Sequence, residues 1–468
     1  MKALVLAAVA STMMLVNPEK HRDIDQHFST TPSQKIEIRG FSGSRIKFRS
    51  WDKNEVSVRL DITFSSSNTK DEQRFLDAIS LKEQQTSEVL RIEYEEPEMR
   101  MHGGNSFVDW LSSLFGGSFM RKEVEGEIYV PRSNPLSAEV RYGSVEMDGM
   151  KGSLDLLGTG NSVTLKNCLS VGEVRNEYGK STFENCAGSL RLKSKSNNVV
   201  VDQFDGKVDI DAEYSNISVR RVTQPVNIHS ASATIRVDDI KGDATIHSDY
   251  STITVNNVKG MLEIRDRSGS IRAREMDGAA VENLYGSIDL DRISGKAGKE
   301  IVLKGQSGQI TLTNASGDVR IDDPYGGIEL NGIKGNIDVR SQSSSVRATG
   351  VTGDWTSRTQ YCTISLREIS AKQLTITNTG GRVDVSTATV PTSVDIKNEY
   401  ERVMFEMPQG FGGDVDLNVT YGKIETNLPL SRKKDFDGGG GYVLGKMGNG
   451  NGKIAIETRS GNLNVMQR

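Results

Sequence analysis

Tyrosines recur through two thirds of this chain at Tyr142, Tyr178, Tyr214, Tyr250, Tyr285, Tyr325, Tyr361 and Tyr400, most of them 36 residues apart. Halfway between them fall Gly160, Ser196, Ser232, Ser268, Ser307 and Ser343. The repeating unit is therefore 18 residues long, with a large and a small side chain alternating at its first position. A period of this length is the signature of a stacked repeat architecture and constrains the fold more than any local propensity.

Within the unit, apolar residues occupy positions 4, 6 and 9 and return near 13 and 15, as in Ile217, Val219, Val222, Val226 and Ile228. Glycine favours position 11, as at Gly188, Gly206, Gly242, Gly260, Gly335 and Gly353. Each unit thus reads as two short alternating strands joined by glycine corners. Such a strand cannot bury its apolar face alone, so each coil must lie on the one before it, forming a β-solenoid with a single dry interior. Position 9 carries that interior through Phe204, Val222, Ile240, Val258 and Met276, with no charged member. Tyrosine alternating with serine or glycine lets each ring overhang a small neighbour. Four extra residues near Gly295–Glu300 predict a loop at one corner, and the register loosens after Ala371. The fold class expected is all-β, a single-stranded solenoid of 18-residue coils over 136–468.

The composition agrees with a thin core: of 468 residues, 35% are apolar and 26% charged, with 47 glycines and 10 prolines. A net charge of −4 offers no basic surface for nucleic acid. No apolar run reaches the length of a membrane-spanning helix, which argues against an integral membrane protein. Three cysteines make no disulfide framework. Cys168 and Cys186 lie one coil apart, within disulfide reach, but their place in the apolar column favours buried free thiols.

Residues 1–22 have the character of a secretory signal, Lys2 preceding the apolar stretch Ala3–Val16, with a buried N-terminal strand as the alternative. Residues 23–135 follow other rules and read as a β-rich capping region. Strands are expected at Lys35–Arg39, Arg45–Arg49, Glu55–Phe64, Ser87–Tyr94 and Glu123–Pro131, and a helix at Asp71–Ile79. An aromatic insertion over 99–120 places Phe107, Trp110, Leu111 and Leu114 on one helical stripe. That stripe is either a plug over the first coil or a docking element for a partner or lipid surface. The glycine-rich loop 435–452 contains Gly440–Lys446, a GxxxxGK match. Met447 stands where a phosphate-binding loop needs Ser or Thr, and a strand follows instead of a helix, so the match is chance and a closing hairpin is expected.

No nucleophile, zinc or paired-carboxylate signature is present, and no cofactor is implied. Acidic residues such as Asp209, Asp238 and Asp291 sit at alternating outward positions, as on a solvated strand face. Position 16 stacks Lys193, Asp211, His229, His247 and Arg265. Asp211, His229 and His247 form a candidate metal ladder, weighed against a solvated polar one that the flanking cations favour.

The segment Glu127-Ile-Tyr-Val-Pro131, Ser137–Val140 and the repeated Tyr/Ser-Gly-x-Ile-x-Leu units resemble a bacterial adhesin-like family of β-strand-repeat proteins, related to auto-transporter adhesin heads. The ending Gly452–Gly461 with Leu463 and Val465 resembles that family's close. The resemblance implies a right-handed β-solenoid on the cell envelope and carries over no catalytic residue and no ligand. The expected function is a non-catalytic, exported envelope or surface protein in the periplasm or outside the cell, binding a surface polymer or envelope protein, or serving as a scaffold. A polysaccharide-active enzyme and a self-assembling structural solenoid are the alternatives.

Overall fold

The computed structural model describes residues 20–42, 44–65, 69–97, 121–430, 432–436 and 439–468. It divides into two compact units, Met1–Gly152 and Ser153–Arg468. The apolar stretch Ala3–Val16 and the insertion carrying Phe107, Trp110, Leu111 and Leu114 lie outside the described residues. No described helix is long and apolar enough to cross a membrane.

The first unit holds β1 (Lys20–Ser29), β2 (Lys35–Ser42), β3 (Ser44–Trp51), β4 (Glu55–Ser65), α1 (Thr69–Ala78), β5 (Ser80–Gln85), β6 (Val89–Glu95), β7 (Arg121–Pro131), β8 (Leu136–Arg141) and β9 (Ser144–Asp148). One set of paired strands runs β1-β4-β7-β3-β9, and another runs β5-β6-β2-β8. β4 shows why the alternation predicts a strand: Val56, Val58, Leu60, Ile62 and Phe64 are all buried on one face. Phe75 on α1 stacks on Phe64 at 4.2 Å between ring centroids, which fixes the helix against that face. β1 begins at Lys20, so residues 20–22 of the expected leader pair with Ile62–Phe64 in the sheet. The polar strand β5 had no apolar pattern to announce it; it forms because β6 offers it an antiparallel edge.

The second unit is a parallel β-solenoid. Residues one coil apart are strand partners: Asn198 pairs with Asn216, Asn216 with Thr234, Thr234 with Thr252 and Thr252 with Ser270. The interior is the apolar set expected from the repeat, with Ile217, Val219, Val222, Val226 and Ile228 buried. The four-residue insertion appears where expected, since Ile288 pairs with Ile310. Positive φ recurs at position 8, as at Asn185 (53°), Gln203 (56°), Arg221 (54°), Asp239 (58°) and Asn257 (55°). This left-handed residue turns the chain sharply, so that position 9 points inward beside positions 4 and 6. Asn and Asp tolerate that conformation best. At the next corner glycine is required by space as well: a Cβ on Gly335 would lie 2.1 Å from the Gly317 carbonyl oxygen.

The last coils are not stacked in chain order. Gly452–Ser460 lies between Ser393–Tyr400 and Gly413–Tyr421, parallel to both. Leu463–Gln467 is likewise held between Val403–Met407 and Ile424–Thr426. Inside the expected glycine-rich loop, Gly441–Met447 is a strand, antiparallel both to Gly413–Tyr421 and to Arg432–Asp435. The GxxxxGK match therefore lies on extended chain.

Candidate functional site

The corner that closes each coil carries the position-1 residue, and its backbone explains its sequence. Polar side chains are turned inward at this bend, and buried polar groups must be paired. Position 17 supplies the partners. Asn176 Nδ2 donates to the Asn161 carbonyl at 2.9 Å, Asn283 Nδ2 to the Gly269 carbonyl at 3.1 Å, and Asn378 Nδ2 to the Cys362 carbonyl at 3.1 Å. Ser194, Ser230 and Ser341 serve the same end through their hydroxyls. An internal polar column thus fixes the bend, and the position-1 side chain is thrown outward.

On that outer side, Tyr178, Tyr214, Tyr250, Tyr285, Tyr325, Tyr361, Tyr400 and Tyr421 are 46% to 65% exposed. The other exposed large apolar residues described in this unit, Leu157, Leu169, Val390 and Phe436, are scattered. Tyr178 pairs with Ser196, and the in-register ladder carries the alternation of tyrosine with serine or glycine from coil to coil. It survives the disordered chain sequence at the end of the stack. Ser460 lies between Tyr400 and Tyr421, pairing with both. Rings therefore recur on every second coil, about 9–10 Å apart at the usual strand spacing. The ring of Tyr361 lies over Gly380, where an added Cβ would sit 3.1 Å from Tyr361 Cδ1.

Position 3 runs beside the tyrosines. From Asn198 through Asn216, Thr234, Thr252, Ser270 and Ser287, then Gln309, Gly327, Ser345 and Thr363, it carries no charge. The next outward residues of the same strands do carry charge, as in the Arg236–Asp238 ion pair at 2.7 Å, and Arg347 donates to Ser345 at 3.1 Å. Around Tyr214 the two stripes border a shallow depression of about 550 Å³, lined by Gly179, Asn197, Asn198, Asn216, Thr234 and their serine neighbours, with no charged group. Asn197 is only 6% exposed, and its amide oxygen has no hydrogen-bond partner.

The expected metal ladder is in register, with Asp211 beside His229, His229 beside His247, and Lys193 and Arg265 on the flanking coils. The two imidazole rings meet edge to face at 6.1 Å between centroids. Among the described residues, no three His, Cys, Asp or Glu side chains are grouped to hold a metal ion. Cys168, Cys186 and Cys362 are buried and free, and a hydrogen bond with Cys168 holds the Cys186 thiol below its usual range against the opposing effect of burial.

Two carboxyls are displaced toward the protonated form, Asp266 to about 6 and Asp323 in the same direction, each chiefly by burial. Shifted carboxyls can mark active sites. These belong to the internal polar column, however: Asp266 pairs in register with Asn283, and Asp323 stands one coil before Ser341. Their raised values express a structural position.

Position 3 was the feature the sequence held without announcing; its signal is a column free of charge in a chain rich in it. No curated protein matches this chain. A crystal structure described as a "putative cell adhesion protein" from Clostridium sporogenes aligns over 96% of this chain and all of its own, at 8% identity and a TM-score of 0.15. Residues 248–466, from the middle coils to the intercalated C-terminal strands, match the model of the Toastrack DUF4097 family.

Proposed function

We propose that this protein is a non-catalytic, exported binding module of the cell envelope or surface, adhesin-like in role, that holds an extended partner along the tyrosine-bearing corner of its coils. The observation that carries this reading is the exposure of tyrosine on every second coil, kept even where the coils are stacked out of chain order. A regular row of exposed rings along one corner is a surface that an extended partner could cover. Some outward acidic groups are engaged with neighbours, as Asp209 is with Lys207 and Asn227, which supports binding over hydrolysis there. The leader-like character of residues 1–22 supports export.

The reading is tested with fluorescently labelled full-length chain and isolated bacterial envelopes. Saturable binding is expected, and it should fall about tenfold or more in a Tyr214→Ser, Tyr250→Ser, Tyr285→Ser variant. Equal binding by both chains would remove the tyrosine face from the function. Release of reducing ends from a polysaccharide panel would replace the non-catalytic reading with the enzymatic one.

A further inference from the structure

We propose that Cys168 and Cys186 are a redox modification site, oxidised by hydrogen peroxide to a reducible disulfide that clasps two successive coils of the second unit. Such a bond does not depend on what the tyrosine corner binds. Both residues stand at position 9, one coil apart, and both are thiols in the structure.

The repeat brings the two sulfurs together. The Ala187 N–H donates to the Cys168 carbonyl at 2.7 Å, which sets the two position-9 residues against each other on neighbouring coils. Stacked parallel strands hold equivalent Cα atoms about 4.8 Å apart, inside the roughly 4.4–6.8 Å that a disulfide spans. Both side chains enter the dry interior, at 0% and 2% exposure. They are already hydrogen-bonded, and that bond holds the Cys186 thiol below its usual range although burial opposes it. Each thiol also meets main-chain carbonyls, Cys168 that of Lys166 at 3.3 Å and Cys186 that of Glu184 at 3.3 Å.

A buried thiol in an apolar column is ordinarily inert. Cys362 is such a case, its sulfur meeting the Ser344 hydroxyl at 3.6 Å and the Gln360 carbonyl at 3.2 Å. Cys186 differs in having a second thiol beside it, and it differs in reach. It lines a depression of about 780 Å³ with Leu169, Ala187 and Phe204, wide enough for a small peroxide. The Cys186 thiolate attacks one oxygen of hydrogen peroxide; the O–O bond breaks, a sulfenic acid forms, and the departing hydroxide takes up the thiol proton as water. The Cys168 sulfur then attacks the sulfenic sulfur; the S–O bond breaks, the S–S bond forms, and a second water leaves with the Cys168 proton. Both thiols are oxidised and the peroxide is reduced to water. A dithiol reductant reopens the bond by exchange. The closed ring removes conformational freedom from the unfolded chain, so the oxidised coils should fray less.

The test exposes the dithiothreitol-reduced, full-length chain to dilute hydrogen peroxide under native conditions, then titrates thiols in guanidinium and maps peptides. Titratable thiols should fall from three to one, with Cys362 the survivor. The mass should drop by about 2 Da. Tryptic peptides 167–175 and 181–191 should appear joined, and dithiothreitol should restore all three thiols. In Cys168→Ala the resolving partner is gone, so dimedone, a sulfenic-acid probe, should label Cys186 several-fold more than in the parent. The parent chain is read directly, so a variant that fails to fold leaves the test intact. Three thiols retained in the folded parent, Cys362 oxidised as fast as Cys186, or Cys186 carried to sulfinic acid without a link to Cys168 would each overturn the proposal.

Discussion

Asp266 illustrates how much a single side chain in this fold depends on its place in the coil. It is 4% exposed, and burial moves its carboxyl from an ordinary 3.8 to about 6, an effect that the backbone NH groups of Ser251 and Arg267 only partly offset. A carboxyl whose folded value is raised favours folding most when protonated. Its contribution is therefore complete below about pH 4 and is lost as the pH rises through about 6. Asn283 fills the same place one coil on and donates to the Gly269 and Ser287 carbonyls. Asp266→Asn should accordingly stabilise the protein at pH 7 by about 1–3 kcal/mol and flatten the stability profile between pH 4 and 6. Denaturant titrations at pH 4.5 and 7.5 would reveal it; a variant less stable at pH 7.5 would refute the buried-charge account. At position 8 the same dependence takes a conformational form. Asn185 and Asn257 suit the left-handed turn, but Gln203, Arg221 and Glu275 adopt it as well because the coil leaves no alternative.

Among the elements, the C-terminal strands carry the largest consequence. Gly452–Ser460 and Leu463–Gln467 each have a strand on both sides, and Ile454, Ile456, Leu463 and Val465 are buried between them. Deleting 452–468 would take a coil out of the middle of the stack. Loss of four buried aliphatic side chains is worth on the order of 5–10 kcal/mol, before the broken ladders are counted. The truncated chain should bind a hydrophobic dye and be cut by protease within 411–447, as limited proteolysis would report. A truncated chain with the parent's melting temperature would show that these strands close nothing. The alternation Tyr400, Ser460, Tyr421 follows this spatial order and not the chain order. It is set by what one ring can tolerate beside it at the strand spacing.

For the molecule as a whole, stacked coils raise the hazard of edge-to-edge association, since a solenoid ends in open strands. The C-terminal end of the second unit meets it with Arg432–Asp435, a short strand whose exposed side chains are Arg, Lys, Lys and Asp, paired antiparallel to Gly441–Met447. This supports a discrete particle over a self-assembling filament. Replacing Arg432, Lys433 and Lys434 with Thr, Val and Thr should raise the scattering mass of concentrated solutions, while the parent chain stays of constant mass. Filaments formed by the parent chain would reverse that conclusion. The second unit's core was legible because an 18-residue period fixes which side chains face in, and strand alternation does the rest. Its positions 4, 6, 9, 13 and 15 are buried as the pattern requires.

What the sequence determined by itself was the coil: its length, its inward residues, the four-residue loop before Ile301 and the alternation of tyrosine with a small partner. All of these are periodic, and stacking forces equivalent positions to share one environment. Tertiary structure decided what a period cannot encode. It placed the tyrosine rings outward, over an internal column of Asn, Ser and Asp, because the bend needed polar partners inside. It gathered the uncharged position-3 residues into a stripe beside them, and it slid the last strands between earlier coils, where two open ladders could each be completed.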